Sequence, residues 1–201
     1  MLLDLLDWRR TVFAMYAAVR AGVDHDPQGT LAEFRAARER LIREHPQSPI
    51  RSERRAGFGG LDHWAYDPAM RFEATVEPAE PERLIARSLD GDPYPLDRMG
   101  HARLPFGELE VYWIQVYGGG IFIPFRDATS GTDSYGAGRY LLDTIKGADL
   151  GGNGDRLILD FNYAYNPSCA YDPRWSCPLA PAANWLRVPV RAGERTSTTH
   201  E

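Results

Sequence analysis

An acid, a phenol and a guanidinium fall close together in Phe125-Arg-Asp-Ala-Thr-Ser-Gly-Thr-Asp-Ser-Tyr135 and Gly138-Arg-Tyr-Leu141. Asp127 can take a proton and Tyr135 can give one, provided burial adjusts their pKa values. Arg139 offers a planar fork of donors suited to a carboxylate or phosphate group. These types assign Asp127 and Tyr135 as candidate catalytic residues and Arg139 as a candidate ligand-binding residue. The same residues carry a second reading, in which Asp127 and Arg139 are a buried ion pair that orders the loop.

A second polar stretch, Tyr163-Ala-Tyr-Asn-Pro-Ser-Cys-Ala-Tyr-Asp-Pro-Arg-Trp-Ser-Cys-Pro178, follows a short apolar segment. Loops this long inside a compact domain are functional or disordered, and the aromatic and cysteine content argues against disorder. Asn162, at the end of an expected strand, and Tyr165 are candidate ligand-binding residues, with Tyr163 and Tyr165 facing one side as an aromatic wall. Asn166 precedes Pro167 in a turn-like sequence and reads as a structural, loop-fixing residue. Cys169 and Cys177 read first as free structural thiols of a reducing compartment. A disulfide is the second reading, and a catalytic or metal role the third, since zinc needs further ligands and Arg174 is the local cation for a nucleophilic thiol.

The five histidines are scattered. Asp24-His25-Asp26 lies between two expected helices as a solvated loop, His45 caps a helix, His200 falls in the tail, and His63 and His101 are the two able to join a pocket. No metal ligand set emerges, and no cofactor can be named. Gly118-Gly-Gly120 and Gly151-Gly-Asn-Gly154 lack the Lys-Ser/Thr and following helix of a phosphate loop and read as turns.

The elements that must position these residues begin with two helices. Leu5, Trp8, Val12, Tyr16 and Val19 recur at helical spacing and stop at Gly22, where a left-handed glycine can end the helix. Thr30 and Glu33 form a capping-box pattern ahead of Leu31, Phe34, Ala37 and Leu41, and His45-Pro46 closes the second helix. Beyond Pro49 the period changes to two. Strands are expected over 71–77, 83–88, 99–104, 109–117, 121–125, 139–145, 156–162 and 186–190. Pro124 suggests that its strand lies on an edge or ends at that residue. No helical pattern intervenes, so the sheet is antiparallel. The expectation is an α+β chain with two N-terminal helices packed on a β-barrel or β-sandwich of about eight strands. Residues 1–201 form a single domain: a helical segment 1–45, a β core 50–190 and a flexible tail 191–201.

Composition narrows the function classes. The chain has 201 residues, 43% apolar, with a net charge of −5. An acidic chain without a basic stripe excludes nucleic acid as the expected partner. No apolar run approaches the ~20 residues of a membrane span, and the acidic start does not suit a secretory signal. The expected location is cytoplasmic, with a small molecule as partner and no membrane; the oligomeric state is open.

The ordered set Phe125–Tyr135, Gly138-Arg-Tyr-Leu141, Asp160-Phe-Asn162, Ala164–Tyr171, Cys177-Pro-Leu-Ala-Pro181 and Asn184 resembles the bacterial and archaeal family catalogued as domain of unknown function 1684. Asp7-Trp-Arg9, Phe34-Arg35, His45–Pro49 and Tyr66-Asp-Pro68 agree more loosely, and Ala180 departs from the proline expected there. The resemblance implies no activity. The residues themselves suggest an enzyme acting on a small polar or acidic molecule in a pocket at one end of the β core. Two alternatives stand beside it: a non-catalytic, calycin-like small-molecule binder, and a structural domain whose motifs only order its loops.

Overall fold

The computed structural model describes residues 2–196. Helix α1 runs over Leu2–Gly22 and α2 over Pro27–Glu44. Asp26 caps α2 by accepting the Gly29 amide at 2.9 Å, and Pro27 takes the first turn. The Thr30–Glu33 box therefore does not form: Asp is a better cap, and proline is pre-shaped for the first helical position. Gly22 ends α1 without a left-handed φ. Its carbonyl accepts from His25 and Asp26, and a Cβ there would meet Thr30 Oγ1 at 2.7 Å, so glycine serves the close approach of the two helices. Among the turn glycines, Gly119 does adopt a positive φ of 53°.

Eight strands follow: β1 Arg71–Pro78, β2 Arg83–Arg87, β3 Pro93–Leu104, β4 Gly107–Ile114, β5 Gly120–Phe125, β6 Arg139–Asp143, β7 Gly152–Asn153 and β8 Arg156–Asp160. They form one antiparallel sheet in the order β6-β5-β4-β3-β1-β8-β7, with β2 paired to the first half of β3. The sheet curls into a half-barrel. Register shifts between Arg98 and Gly100 and between Ile123 and Pro124 mark two irregularities, and bulges of this kind increase local twist. Pro124 thus lies within an interior strand, at a bulge that excuses its missing N–H. An antiparallel bridge, Tyr140 N–H to Tyr165 O at 2.9 Å and its reciprocal at 3.0 Å, joins β6 to the segment after β8.

The concave face carries the main core. Leu109, Val111, Ile123, Phe125, Leu141, Leu159 and Phe161 pack there against Tyr16, Val19, Leu31 and Phe34 of the helices. Ring contacts run Tyr16–Phe34–Tyr163 at 5.1 and 5.0 Å. A smaller cluster, Ala86, Leu96, Tyr112, Phe122 and Tyr140, lies apart from it.

Three expectations are corrected. Residues 186–190 make no strand. Leu186 N–H reaches Arg126 O and Ala128 N–H reaches Val188 O, while the Val190 amide is taken by a side chain and Pro189 has none. The eighth strand is β7, formed by two residues expected to be turn. Residues 191–196, expected to be flexible, include Ala192 and Glu194 at 0% and 1% exposure. The rest of that tail, His200 included, lies outside the described residues.

Candidate functional site

Asp127, Arg139 and the C-terminal segment form one buried knot. The Asp127 carboxylate accepts from Thr129 Oγ1 at 2.9 Å, from Ser130 Oγ at 3.3 Å and from the Val190 amide at 2.5 Å. Arg139 Nη2 lies 3.5 Å from Asp127 Oδ2, both side chains being sealed from solvent. Arg139 also donates to the carbonyls of Val190 (2.9 Å), Ala192 and Glu194 (3.2 Å), and its guanidinium carbon lies 4.9 Å from the Trp64 ring centre and 5.0 Å from that of Phe125. Burial pushes its pKa down to about 10, with Asp127 and Glu194 opposing, so it stays charged at neutral pH. The knot clamps the tail onto β6.

The other residues singled out from sequence are dispersed. Asn162 is buried and spans Asp67, accepting its N–H at 3.0 Å and donating to its carbonyl at 2.8 Å. Tyr135 Oη donates to Cys169 O at 3.2 Å and makes no bond to Asp127. Asp127 and Tyr135 therefore do not converge on a shared point. Asn166 donates to Arg195 O at 2.9 Å. Cys169 and Cys177 are free and buried. The expected wall of Tyr163 and Tyr165 is split: a 3-10 turn over Phe161–Tyr163 ends the alternation of β8, sending Tyr163 onto Phe34. Of these two tyrosines, Tyr165 reaches a cavity, which Asn166 also lines.

That cavity, about 70 Å³, opens where α1 and α2 meet the end of the half-barrel at the Tyr140–Tyr165 bridge. Trp8, Val12, Ile42 and Pro49 supply apolar wall, and Tyr16, Arg38, Tyr165, Tyr171, Lys146 and Ser168 supply polar groups. Arg38 is held from below. Its Nε and Nη2 bond the Glu194 carboxylate, and its guanidinium lies 4.7 Å over the Tyr165 ring. Glu194 further accepts the Asn166 amide at 2.8 Å and the Tyr171 hydroxyl at 3.1 Å. Although burial opposes its ionisation, Arg38 holds the Glu194 carboxyl below the usual range.

Two cleft donors, the hydroxyls of Tyr16 and Tyr165, have no hydrogen-bond partner among the described residues, and they stand beside the Arg38 guanidinium. Burial raises the pKa of Tyr16 and Tyr165, so both are neutral phenols. Lys146, the only lysine in the chain, stands at the rim with its side chain 63% exposed. The carboxylates nearby are committed, Glu194 to four donors and Asp143 to Lys146 at 3.6 Å and the Lys146 amide. The cleft is thus rich in donors and poor in bases.

Sequence reasoning missed Arg38 and Glu194. Arg38 had a signal, because it sits on the apolar stripe between Phe34 and Leu41, where a charge needs a buried partner. Glu194 had none, since its partners are distant in sequence.

The profile described as "Protein of unknown function (DUF1684)" matches residues 56–195. The chain belongs to this family. The DUF1684 match takes in the Arg139 knot, Tyr165 and Glu194, and excludes α1 and α2, which supply Tyr16 and Arg38. A solution structure of an uncharacterised protein from Haloarcula marismortui is 36% identical, with a TM-score of 0.59, over 88% of this chain and 98% of that one. No curated protein matches. Among the described residues no helix is long and apolar enough to cross a membrane.

Proposed function

We propose that this DUF1684 protein binds a small molecule through a carboxylate or comparable planar oxyanion head, in the cleft between the helix pair and the half-barrel. The observation that carries this reading is the pair of unpartnered hydroxyls of Tyr16 and Tyr165 bordering one cavity together with the Arg38 guanidinium. A guanidinium nitrogen and two neutral phenols are donors suited to an acceptor-only oxyanion. The pairing of Arg38 with Glu194 leaves little net charge, which suits a monoanion better than a multiply charged phosphate. The volume takes a head group rather than a whole drug-sized ligand, for which pockets of roughly 300–1,000 Å³ are usual. Binding is favoured over turnover because no carboxylate beside the cleft is left open to act as a base.

Thermal-shift titration with short monocarboxylates, against inorganic phosphate, tests this. A carboxylate at about 100 times its Kd adds roughly 2.7 kcal/mol of stability. Tyr165→Phe removes one donor without emptying the wall and weakens binding by about tenfold or more, as for a bond to a charged acceptor. The reading fails if no carboxylate shifts the melting temperature, or if Tyr165→Phe and Tyr16→Phe both bind like the parent.

A further inference from the structure

The apolar row of α1 continues past the cleft. Leu5, Trp8, Val12 and Tyr16 recur at three- and four-residue steps, so they fall on one line of the helix. Tyr16 is buried, Val12 and Trp8 are half-buried and Leu5 is 45% exposed, so burial falls toward the N-terminus. Tyr16, Val12 and Trp8 line the cavity, and Leu5 is the next residue of the row outside it. Contacts to either side hold α1 in place. Arg9 Nη2 donates to Ile145 O at 3.0 Å, and Phe13 packs so closely on Gly147 that a Cβ there would meet its ring at 3.1 Å. The Trp8 and His45 rings meet edge to face at 5.3 Å, and His45 Nε2 lies 3.2 Å from Asp7 Oδ2. Polar groups gather at the buried end of the row, where the hydroxyls of Tyr16 and Tyr165 stand beside Arg38. The cavity, about 70 Å³, holds little more than the head of an acid, so the rest of a larger one must lie against what adjoins it. Along α1, that surface is apolar.

We propose that the ligand of the cleft is a straight-chain alkanoate of about eight to twelve carbons, its carboxylate at Tyr16, Tyr165 and Arg38 and its chain laid along Val12, Trp8 and Leu5. The inference rests on the carboxylate reading of the cleft and names the class of acid. Length sets the range. Val12 to Leu5 is a step of seven residues, about 10 Å at the rise of an α-helix. An extended chain advances about 1.2 Å per bond, so roughly eight methylenes cover that distance and the head adds the rest. One end of such a molecule needs donors and the remainder needs only apolar contact, which is the order of the groups along the row. A long chain ending in a second carboxylate would set that charge against Leu5, so the row selects against it.

Isothermal titration calorimetry of the full-length protein with even-numbered monocarboxylates from ethanoate to tetradecanoate, each below its micelle concentration, tests this. Affinity rises about two- to fourfold per methylene up to about twelve carbons and then levels off, and the heat-capacity change of binding becomes more negative in step. Decanedioate binds at least about tenfold more weakly than decanoate. Leu5→Ser alters an exposed side chain; it lowers dodecanoate affinity about fivefold, and the loss shrinks as the chain shortens. Affinity independent of length overturns the proposal and leaves the carboxylate reading standing. If no acid of any length binds, that reading falls and the proposal with it. Octan-1-ol binding as tightly as octanoate also overturns it. So does a dimer in sedimentation that dissociates in Leu5→Ser, which would give the row to a second copy of this chain.

Discussion

Glu194→Gln isolates the buried charge on which the cleft rests. Glu194 and Arg38 side chains are 2% and 12% exposed. Glutamine keeps the shape but turns one acceptor into a donor facing Arg38, the Asn166 amide and the Tyr171 hydroxyl, all of which donate. Removing one partner of a buried pair costs about 3–5 kcal/mol, and the retained amide oxygen places this change near 3. For a chain of this length that lowers the melting temperature by roughly 6–12 °C. The pH dependence supplies the sign. Glu194 is depressed in the folded state below its unfolded value of 4.5, so its stabilisation is complete above that value. It is lost as pH falls through the folded pKa. The gap between parent and variant is therefore constant from about pH 5.5 to 8 and narrows below about pH 4.5. Urea unfolding followed by tryptophan fluorescence across that range measures it. A gap under about 1 kcal/mol at pH 7, or one that persists undiminished to about pH 3, refutes the reasoning.

Two further outcomes follow from the same packing. Arg139→Ala strands the Asp127 carboxylate and the carbonyls of Val190, Ala192 and Glu194; stability falls by about 3–5 kcal/mol and limited proteolysis cuts first within 190–196, whereas an unchanged melting temperature removes the clamp. Tyr163→Phe deletes a buried hydroxyl that has no partner, so unfolding free energy stays within about 0.5 kcal/mol or rises; a loss above about 1.5 kcal/mol would show that this hydroxyl is hydrogen-bonded in solution.

The helices and most strands were legible because burial alternates with the period of each element. Phe72, Ala74 and Val76, read as one face of a strand, belong to the main core or pack against it. Strand bounds moved where turn chemistry competed: Asn162 left β8 because the Asp160 carboxylate takes its amide and starts a 3-10 turn. The 186–190 stretch carried apolar residues without becoming a strand, since Asp127 claims the amide that a ladder would use. The chemistry was harder to place. Asp127 and Arg139 were rightly seen as partners in space, but reactive types say nothing about whether a pair faces solvent or core. The cleft draws Tyr16 and Arg38 from the helices and Glu194 from the tail, and no local pattern joins residues so far apart in sequence.

That distance explains how the signature motifs relate to the cleft. Asp127 and Arg139 touch no cavity-lining donor; they fix residues 190–194. The same segment is held by Trp64 N–H on Gly193 O at 3.1 Å and by Glu194 N–H on Ala164 O at 2.8 Å. Its fixed end delivers the Glu194 carboxylate beneath Arg38, and that carboxylate orients the guanidinium that lines the cavity. Motif, tail and cleft are therefore links of one chain of contacts. Arg139→Ala acts at the first link and Glu194→Gln at the second, so both weaken carboxylate binding. Tyr165→Phe acts only at the last and leaves the tail protected from protease. If Arg139→Ala melted early yet bound carboxylate with parental affinity below its melting temperature, the clamp would stand and its connection to the cleft would not.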